Sequence, residues 1–363
     1  MRITFVVGLA DLSGGFRVIA TYAQRLKQRG HDVVVVSRPG RKAGLRDKLR
    51  AVTRGKPLPL DPQRAPTHME WTGVPHRLLE SFRPVTAEDV PDADIALATW
   101  WESAEWVEAL PASKGAKVHF VQHYEAFPEL PVDRVDAVWR LPIPKIAVAQ
   151  WLVDLGREKF GIGEMALVAN SVDHQFFNLE RRHISDGPTV GFLYHEVPFK
   201  DLPTTMAVAR RLKEMRPEVQ FISFGAARPE DGKLPPDTEF HYLPTQEKIA
   251  EIYGRCHAWL STSKTEGFNL PPLEAMACGC PAVCAKTGRP LEIIEDSING
   301  FLVDQGDVAG FAEALLTILD LPDAAWQEMS QAAVGAVAHP TWEESSALFE
   351  KALIQAAKSR ETA

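Results

Sequence analysis

Short runs of β-branched and other apolar residues alternate with amphipathic helical segments along most of this chain. The run RITFVVG is followed by two glycines and by FRVIATYAQRLKQRG, in which Val18, Ile19, Tyr22 and Leu26 recur at helical spacing. Gly30 is a good helix stop, and HDVVVVS after it is predicted as the next strand. Continuous apolar runs are typical of strands that are buried on both faces. The alternation therefore predicts a parallel sheet with helices on both sides.

This pattern occurs twice, with ERRHISDGP as a linker between the two halves. Further strands are predicted before the linker at ADIALATW, KVHFVQ, KIAVA and ALVANS. After the linker they are predicted at TVGFLY, VQFISFG, FHYL, AWLSTS, PAVCA and GFLV. We predict an α/β protein of two doubly wound, Rossmann-like domains, residues 1–180 and 186–339. A length of 363 residues fits two domains better than one.

The C-terminal segment 340–363 is predicted as an amphipathic helix that packs back on the first domain. Its proposed apolar face consists of Trp342, Leu348, Phe349, Leu353 and Ile354.

Composition narrows the class of protein. The chain is 45% hydrophobic and 24% charged, which is ordinary for a soluble enzyme, and its net charge of -8 argues against a nucleic-acid binder. The N-terminal apolar run is too short for a signal peptide, and no window approaches the length of a membrane span. The four cysteines crowd into one stretch, unlike a secreted disulfide framework. These features favour the cytoplasm.

A basic segment breaks the pattern between residues 38 and 64. It contains nine Lys or Arg residues and two acids, a local charge of +7. Leu45, Leu49 and Val52 fall on one helical face among the basic residues. Two interpretations are open: a solvated loop, or an interfacial segment that contacts anionic lipid at the inner face of the membrane.

The stretch TEGFNLPPLEAMACGCP, from Thr265 to Pro281, has the strongest functional signal. It follows the predicted strand AWLSTS, so Glu266 emerges at the carboxyl end of a strand, where open α/β sheets bind ligands. Two prolines suit the first turn of a helix, which places Glu274 in that turn. Taken singly, each acid has an ordinary interpretation, as a solvated loop charge or as an acid at a helix start. Together with the backbone amides of the loop, two such carboxylates suit a hydroxyl-rich ligand.

The segment EGFNLPPLEAMACGCPAV resembles the E-x7-E signature of retaining glycosyltransferases of family 4, which have the GT-B fold. Similarity extends to PTQEKIAEIYGRCHAWLSTS before it, to TGRPLEIIEDSINGFLV after it, and to IAVAQWLVDLGREKFGI and ALVANSVDHQFF farther upstream. The resemblance implies two domains that face each other across a cleft. It also implies transfer of a sugar from a nucleotide sugar to a glycan or lipid-linked acceptor, without a metal ion or other cofactor.

The resemblance also implies roles for the residues of the second half. Glu274 would hold ribose hydroxyls, and Glu266 would act in catalysis by holding the donor sugar. The loop amides that would help Glu266 belong to Gly267, Phe268, Asn269 and Leu270.

Positive charge is needed where the nucleoside diphosphate departs. The family supplies an Arg and, five residues on, a Lys. The segment GFLYHEVPFKDL has Lys200 at the second position but His195 at the first. The diphosphate would then rest on His195, or on Lys200 and backbone amides, with Arg17 or Arg289 as candidate substitutes for the missing arginine.

In the first half, the resemblance implies that Gly14 and Gly15 bring a helix N-terminus to the diphosphate. His123 follows a strand in KVHFVQHYEAFP, at a position where the family often has a histidine near the donor sugar. His119, on the strand itself, is predicted to be structural. Acceptor-side candidates are Trp101, Tyr124 and Glu125; for the tryptophan, sugar stacking and core packing are both open.

Other classes fit less well. The spacing of Cys278, Cys280 and Cys284 is closer than known zinc spacings, and no Asp-x-Asp motif is present. GLADLSGG lacks the spacing of a dinucleotide fingerprint. Two alternatives stay open: a nucleotide-sugar-binding subunit without transfer activity, and a sugar-nucleotide epimerase. FVQHYEAFP resembles rhamnosyl-type transferases of surface polysaccharides, and this resemblance leaves UDP- and dTDP-linked donors both open.

Overall fold

The computed structural model describes residues 1–46, 49, 53, 61–182 and 185–361. The chain forms two compact units. The first consists of residues 1–168 and the C-terminal residues from 346 onward, and the second of residues 169–345. Of the basic segment 38–64, residues 47, 48, 50–52 and 54–60 lie outside the described residues.

The first unit contains a sheet of seven parallel strands in the order β3-β2-β1-β4-β5-β6-β7. The strands are β1 (Arg2–Leu9), β2 (Asp32–Arg38), β3 (His76–Leu78), β4 (Ile95–Ala98), β5 (Ala116–Val121), β6 (Lys145–Ala147) and β7 (Ala166–Leu167). Its helices are α1 (Gly14–Gln28), α2 (Trp101–Glu108), α3 (Val132–Trp139) and α4 (Gln150–Phe160).

The second unit contains a sheet of six parallel strands in the order β10-β9-β8-β11-β12-β13. The strands are β8 (Thr189–Leu193), β9 (Gln220–Gly225), β10 (Glu239–Tyr242), β11 (Ala258–Ser261), β12 (Ala282–Ala285) and β13 (Gly300–Val303). The helices are α5 (Leu202–Met215), α6 (Gln246–Arg255), α7 (Leu270–Ala277), α8 (Pro290–Ile293), α9 (Val308–Leu319) and α10 (Asp323–Ala336).

The α/β class and the two parallel sheets predicted from the sequence are confirmed. Every strand predicted from an apolar run overlaps a strand of the structure, and the central strands β4 and β12 are buried along their whole length. The sequence analysis missed β3, a three-residue edge strand with no apolar run.

The last helix, α11, spans Trp342–Glu361. Phe349 and Leu353 on it are fully buried, as predicted, but Leu348 and Ile354 are 48% and 36% exposed. The predicted apolar face was therefore wrong at two positions. The buried stripe continues instead through Ser345, Ser346 and Ala356, because the helical spacing of Phe349 and Leu353 selects these small residues and turns the two larger ones outward.

Within the part of the chain that the structure describes, no helix combines the length and the apolar character that crossing a bilayer requires.

Candidate active site

The loop between β11 and α7 is the centre of the candidate site. It leaves the sheet at Ser261 and ends at Asn269, the residue before the first turn of α7. Asn269 has a left-handed backbone (φ 73°), and its side-chain amide donates to Ser261 Oγ at 3.0 Å. This bond closes the loop on the strand that precedes it. Pro271 then occupies the first turn of α7, where no backbone N–H is needed.

Glu266 is held in this loop with its side chain turned inward. The residue is only 6% exposed. Its backbone N–H donates to Thr287 Oγ1 at 3.0 Å, and its Oε1 accepts from Lys200 Nζ at 2.5 Å. The solvated loop charge considered in the sequence analysis is therefore wrong for Glu266. A buried carboxylate needs such a charged partner.

Lys200 reaches Glu266 from a separate segment of the chain. It ends a short 3-10 turn, Pro198–Lys200, that follows β8. A backbone bond from Lys264 N to Phe199 O (2.8 Å) ties this turn to the end of β11. Asp201, which is buried with a φ of 50°, lies 3.2 Å from Lys264 Nζ through its Oδ1. The end of β8 and the end of β11 are thus joined by backbone and charge contacts.

Glu274 lies in the second turn of α7, because the helix begins at Leu270. Its prediction in the first turn, as an acid that the helix dipole stabilises, was wrong. The residue is 4% exposed, and its Oε2 accepts a hydrogen bond from the Tyr253 hydroxyl at 3.1 Å. A buried carboxylate oriented by a tyrosine on α6 fits a binding role better than a dipole role.

The turn at Gly288, after β12, packs against the loop that carries Glu266. Gly288 has a φ of 66°, and a Cβ added there would meet the Phe268 carbonyl oxygen at 2.9 Å and Glu266 Cβ at 3.0 Å. The next residue, Arg289, donates its N–H to the Phe268 carbonyl at 2.8 Å. Only glycine permits this approach of the two backbones.

Sequence reasoning missed Tyr253, Thr287 and Gly288. The regular apolar spacing of EKIAEIYGR, which places Tyr253 on the buried face of α6, and the turn TGRP were the available signals.

A small pocket lies between the end of β11 and the start of α7. Its walls include Lys200, Thr205, Asn269 and the hydroxyl-bearing residues Ser261 to Ser263. Thr205 and Thr262 share a hydrogen bond of 2.6 Å between their hydroxyls. The pocket therefore offers a cation, an amide and hydroxyl groups at the carboxyl edge of the sheet, which suits a polar, negatively charged ligand.

His195 stands near Lys200 in an uncharged form. Its Nδ1 accepts the backbone N–H of Val197 at 3.1 Å, so this nitrogen carries no proton. Desolvation lowers the pKa of His195, and the positive charge of Lys200 lowers it further. Lys200 is accordingly the better source of positive charge. Arg289, a candidate substitute for the missing arginine, forms an ion pair with Glu292.

In the first unit, Gly14 and Gly15 form the first turn of α1, which Ser13 caps by accepting from Phe16 N at 3.3 Å. Apart from its chain neighbours and the backbone of its own helix, no heavy atom of the described residues lies within 4 Å of a Cβ built on Gly14, and for Gly15 Gln122 Oε1 lies at 4.0 Å. The turn is thus open on the side where these side chains would stand.

His123 is held between aromatic rings at the carboxyl edge of the first sheet. Its ring stacks on Phe127 (5.0 Å between centroids) and meets Trp151 edge-on at 6.1 Å. Nδ1 lies 2.7 Å from the Tyr124 carbonyl oxygen, which can only accept. In the neutral ring Nε2 is therefore the hydrogen-bond acceptor.

Two of the acceptor-side candidates are buried in the structure. Trp101 is 4% exposed, with the Arg134 guanidinium 4.7 Å from its ring centroid, so the core-packing interpretation holds. Glu125 is 2% exposed, and burial raises its pKa well above the ordinary value. Tyr124 is half-buried, and its hydroxyl donates to Asp136 Oδ1 at 2.6 Å.

The four cysteines are free and buried. Among the described residues no group of three or more His, Cys, Asp or Glu side chains is arranged to hold a metal ion. Burial raises the pKa of Cys280 to about 12, so its thiol is protonated at neutral pH.

Comparisons with known proteins show similarity to glycosyltransferases. Residues 182–334, which include the whole Glu266–Glu274 segment, match the family Glycosyl transferases group 1. N-acetyl-alpha-D-glucosaminyl L-malate synthase of Bacillus anthracis is 35% identical over 78 residues, which are 22% of this chain and 20% of that protein. D-inositol 3-phosphate glycosyltransferase of Mycobacterium avium is 33% identical over 107 residues, 29% of this chain and 25% of that protein. The chain thus spans only a fifth to a quarter of the length of these relatives.

Solved structures match over nearly the whole chain. Sucrose-phosphate synthase from Thermosynechococcus elongatus superposes with a TM-score of 0.73 at 17% identity, covering 98% of this chain and 99% of that one. Anabaena HepE in complex with UDP and glucose gives 0.71 at 16% identity, covering 97% and 99%. These similarities show that the fold is the GT-B fold of glycosyltransferases, with two Rossmann-like domains.

Proposed function

We propose that this chain is a retaining glycosyltransferase that moves a sugar from a nucleoside-diphosphate sugar to a glycan or lipid-linked acceptor. One observation carries the proposal: two buried glutamates, Glu266 and Glu274, lie on a loop and helix at the carboxyl edge of the second sheet, and Lys200 is paired with the first of them. The family match covers this segment, and UDP and glucose accompany Anabaena HepE in its structure.

The role proposed for each residue follows from its environment in the structure. Glu274, oriented by Tyr253, holds ribose hydroxyls, and Glu266 holds hydroxyls of the donor sugar. Lys200 neutralises the leaving diphosphate, assisted by the pocket hydroxyls and amides. His195 contributes a neutral hydrogen-bonding group. His123, whose Nε2 accepts in the neutral form, is assigned to a sugar hydroxyl.

Retention of configuration is proposed to follow from attack on the same face of the sugar as the departing group. In this mechanism a phosphate oxygen of the leaving diphosphate takes the acceptor proton. The two glutamates bind substrate and do not attack it, unlike the paired carboxylates of glycosidases. No step requires a metal ion. The donor is proposed to be UDP- or dTDP-linked.

The first experiment measures the melting temperature with a panel of UDP-, dTDP-, GDP- and ADP-sugars, because a ligand that binds the folded state raises it. The donor that stabilises the protein is then incubated with candidate acceptors, and the product is analysed for anomeric configuration. We expect a stabilising donor and a retained linkage. Conversion of the donor without an acceptor would instead indicate an epimerase, and binding without turnover a non-catalytic subunit.

Two variants test the residue assignment. Glu266→Ala is expected to reduce turnover at least a hundredfold while nucleotide affinity changes much less, since Glu266 is assigned to the sugar. Glu251→Ala is the matched control, because Glu251 is an exposed acid on α6 that pairs with Lys248 at 3.1 Å. Unchanged turnover in Glu266→Ala would contradict the proposal.

A further inference from the structure

The ion pair between Lys200 and Glu266 affects the order in which the diphosphate and the sugar of a donor can be bound. The atoms Lys200 Nζ and Glu266 Oε1 are 2.5 Å apart, and the two side chains are 18% and 8% exposed. Each group neutralises the other in a partly desolvated pocket. Breaking such a pair without replacement leaves a buried charge, which is strongly unfavourable.

The two partners are not equally free to move. Glu266 is fixed through its backbone bond to Thr287 and through the close contact of its loop with Gly288. Lys200 carries a flexible four-carbon side chain on a short turn. Exchange of partners would therefore proceed by rotation of the Lys200 side chain while the Glu266 carboxylate stays in place.

Among the described residues of the second unit, the cationic groups discussed above are engaged elsewhere or uncharged. Lys264 lies 3.2 Å from Asp201, and Arg289 is paired with Glu292. His195 accepts a backbone N–H through Nδ1 and has a lowered pKa. An incoming diphosphate thus competes with Glu266 for the same ammonium group.

We propose that Lys200 is a specificity switch: the diphosphate of the donor takes Lys200 from Glu266, and only then is the Glu266 carboxylate available to sugar hydroxyls. This inference rests on the proposed function and extends it. It makes recognition of the sugar conditional on the diphosphate. A free sugar meets a carboxylate that is already neutralised, whereas an activated sugar supplies the anion that releases it.

The test is the affinity of nucleoside diphosphates that carry no sugar. UDP and dTDP are titrated by calorimetry into the wild-type protein and into Glu266→Gln, which keeps the side-chain shape and removes the competing charge. The switch predicts that the better of the two ligands binds Glu266→Gln about five- to tenfold more tightly than it binds the wild-type protein. This factor corresponds to the free energy of a partly buried ion pair that no longer has to be broken. Uridine and thymidine, which lack phosphates, should bind both proteins equally.

Glu196→Gln is the matched control. Glu196 follows His195 in the same loop, but its partners include Lys233, at 2.8 Å, and the Tyr194 hydroxyl, at 2.9 Å. Its removal should change the affinity for the nucleoside diphosphate less than twofold. An equal gain in both variants would indicate a general charge effect and would overturn the switch, as would an unchanged or weaker affinity in Glu266→Gln.

A second measurement uses the wild-type protein and does not depend on the folding of a variant. Saturation-transfer NMR detects the free monosaccharide of the donor that stabilised the protein, with and without saturating nucleoside diphosphate. The switch predicts a signal only when the nucleotide is present; an equal signal in its absence would overturn it. Failure of both UDP and dTDP to bind the wild-type protein would overturn the proposed function as well.

Discussion

At the scale of single residues, the candidate site depends on two backbone positions that most side chains cannot occupy. Asn269 and Gly288 both have positive φ; Asn269 ends the loop that carries Glu266, and Gly288 packs against that loop from the segment after β12. Asn is among the few residues that tolerate this region, and at Gly288 the neighbouring Phe268 carbonyl excludes even a methyl group. The position of Glu266 is thus set by conformational constraints outside the glutamate itself.

Gly288→Ala tests this constraint. The added Cβ combines an unfavourable φ with a clash against Phe268 and Glu266, so we expect a loss of about 2–3 kcal/mol of folding free energy and a much weakened donor affinity. Gly306→Ala is the control, because Gly306 has a φ of 77° but no heavy atom within 4 Å of the place that a Cβ would take. The free energy of unfolding and the donor affinity are measured for both. Equal effects would show that backbone strain alone matters.

The hydroxyl of Tyr253 is the second residue-scale test. It donates to Glu274 in a buried environment, so Tyr253→Phe should weaken nucleotide affinity several-fold by releasing the orientation of that carboxylate. The control is Tyr242→Phe, since Tyr242 is exposed and lies under the Arg228 guanidinium. Calorimetric titration of the nucleoside diphosphate measures both variants. An unchanged affinity in Tyr253→Phe would remove Tyr253 from the site.

The sequence could locate residues whose signals are local in the chain, but not residues whose positions depend on tertiary contacts. Glu266 and Glu274 could be located because their spacing, the two prolines and the preceding strand are all local in sequence. Gly288 and Tyr253 support them from more than ten residues away, and no local pattern indicates which loop a glycine will contact. The sequence left core packing and sugar stacking both open for Trp101 for the same reason, because burial depends on residues such as Arg134 that tertiary structure brings in.

At the scale of secondary-structure elements, long apolar runs were the reliable signal. A strand buried on both faces is mostly apolar along its length, so β1, β2 and β5 are visible in the sequence alone, although β5 also buries His119. The edge strand β3 has only three residues, none of them buried, and pairs on one side with β2. Its existence depends on the neighbouring strand, which local propensity does not report.

Helix α11 provides an element-scale prediction. Phe349 stacks on Tyr22 at 4.3 Å between centroids and meets Phe120 edge-on at 4.9 Å, inside the first unit. Phe349→Ala should therefore lower the free energy of unfolding by about 3–4 kcal/mol, through lost burial and the cavity left behind. Leu348→Ala, one residue earlier and 48% exposed, should cost less than about 0.5 kcal/mol. Denaturant unfolding compares them, and similar losses would contradict the assigned face.

At the scale of the whole molecule, the ionisable groups that the core buries determine how stability responds to pH. The first unit contains an unusual pair of these. Glu125 has a raised pKa and His119 a lowered one, in both cases chiefly because burial disfavours the charged form. Neither His119 ring nitrogen has a hydrogen-bond partner among the described residues, and the positive charge of Lys145 opposes protonation further. His119 is therefore neutral in the folded protein at neutral pH, while burial favours the protonated form of Glu125.

The pKa of His119 determines the direction in which this residue changes stability with pH. Its pKa falls from an ordinary 6.5 to about 3 on folding, so between these values the unfolded chain binds the extra proton and acid favours unfolding. As far as His119 is concerned, the free energy of unfolding has its full value above pH 6.5 and declines as the pH drops towards 3. Lowering the pH from 7 to 5 should cost the wild-type protein about 1–2 kcal/mol through this residue alone.

His119→Leu should remove that part of the pH dependence, because leucine fills the buried site without a titrating group. We expect the difference in unfolding free energy between pH 7 and pH 5, measured by urea denaturation, to shrink by about 1–2 kcal/mol in the variant. Glu125 and the other acids remain in both proteins, so their contribution cancels in the comparison. Between pH 7 and 8.5 the two proteins should show the same slope, since His119 is neutral in both states there. An unchanged loss between pH 7 and 5 would mean that His119 is protonated in the folded chain, and that solvent or a hydrogen-bonding group reaches a ring that is 1% exposed.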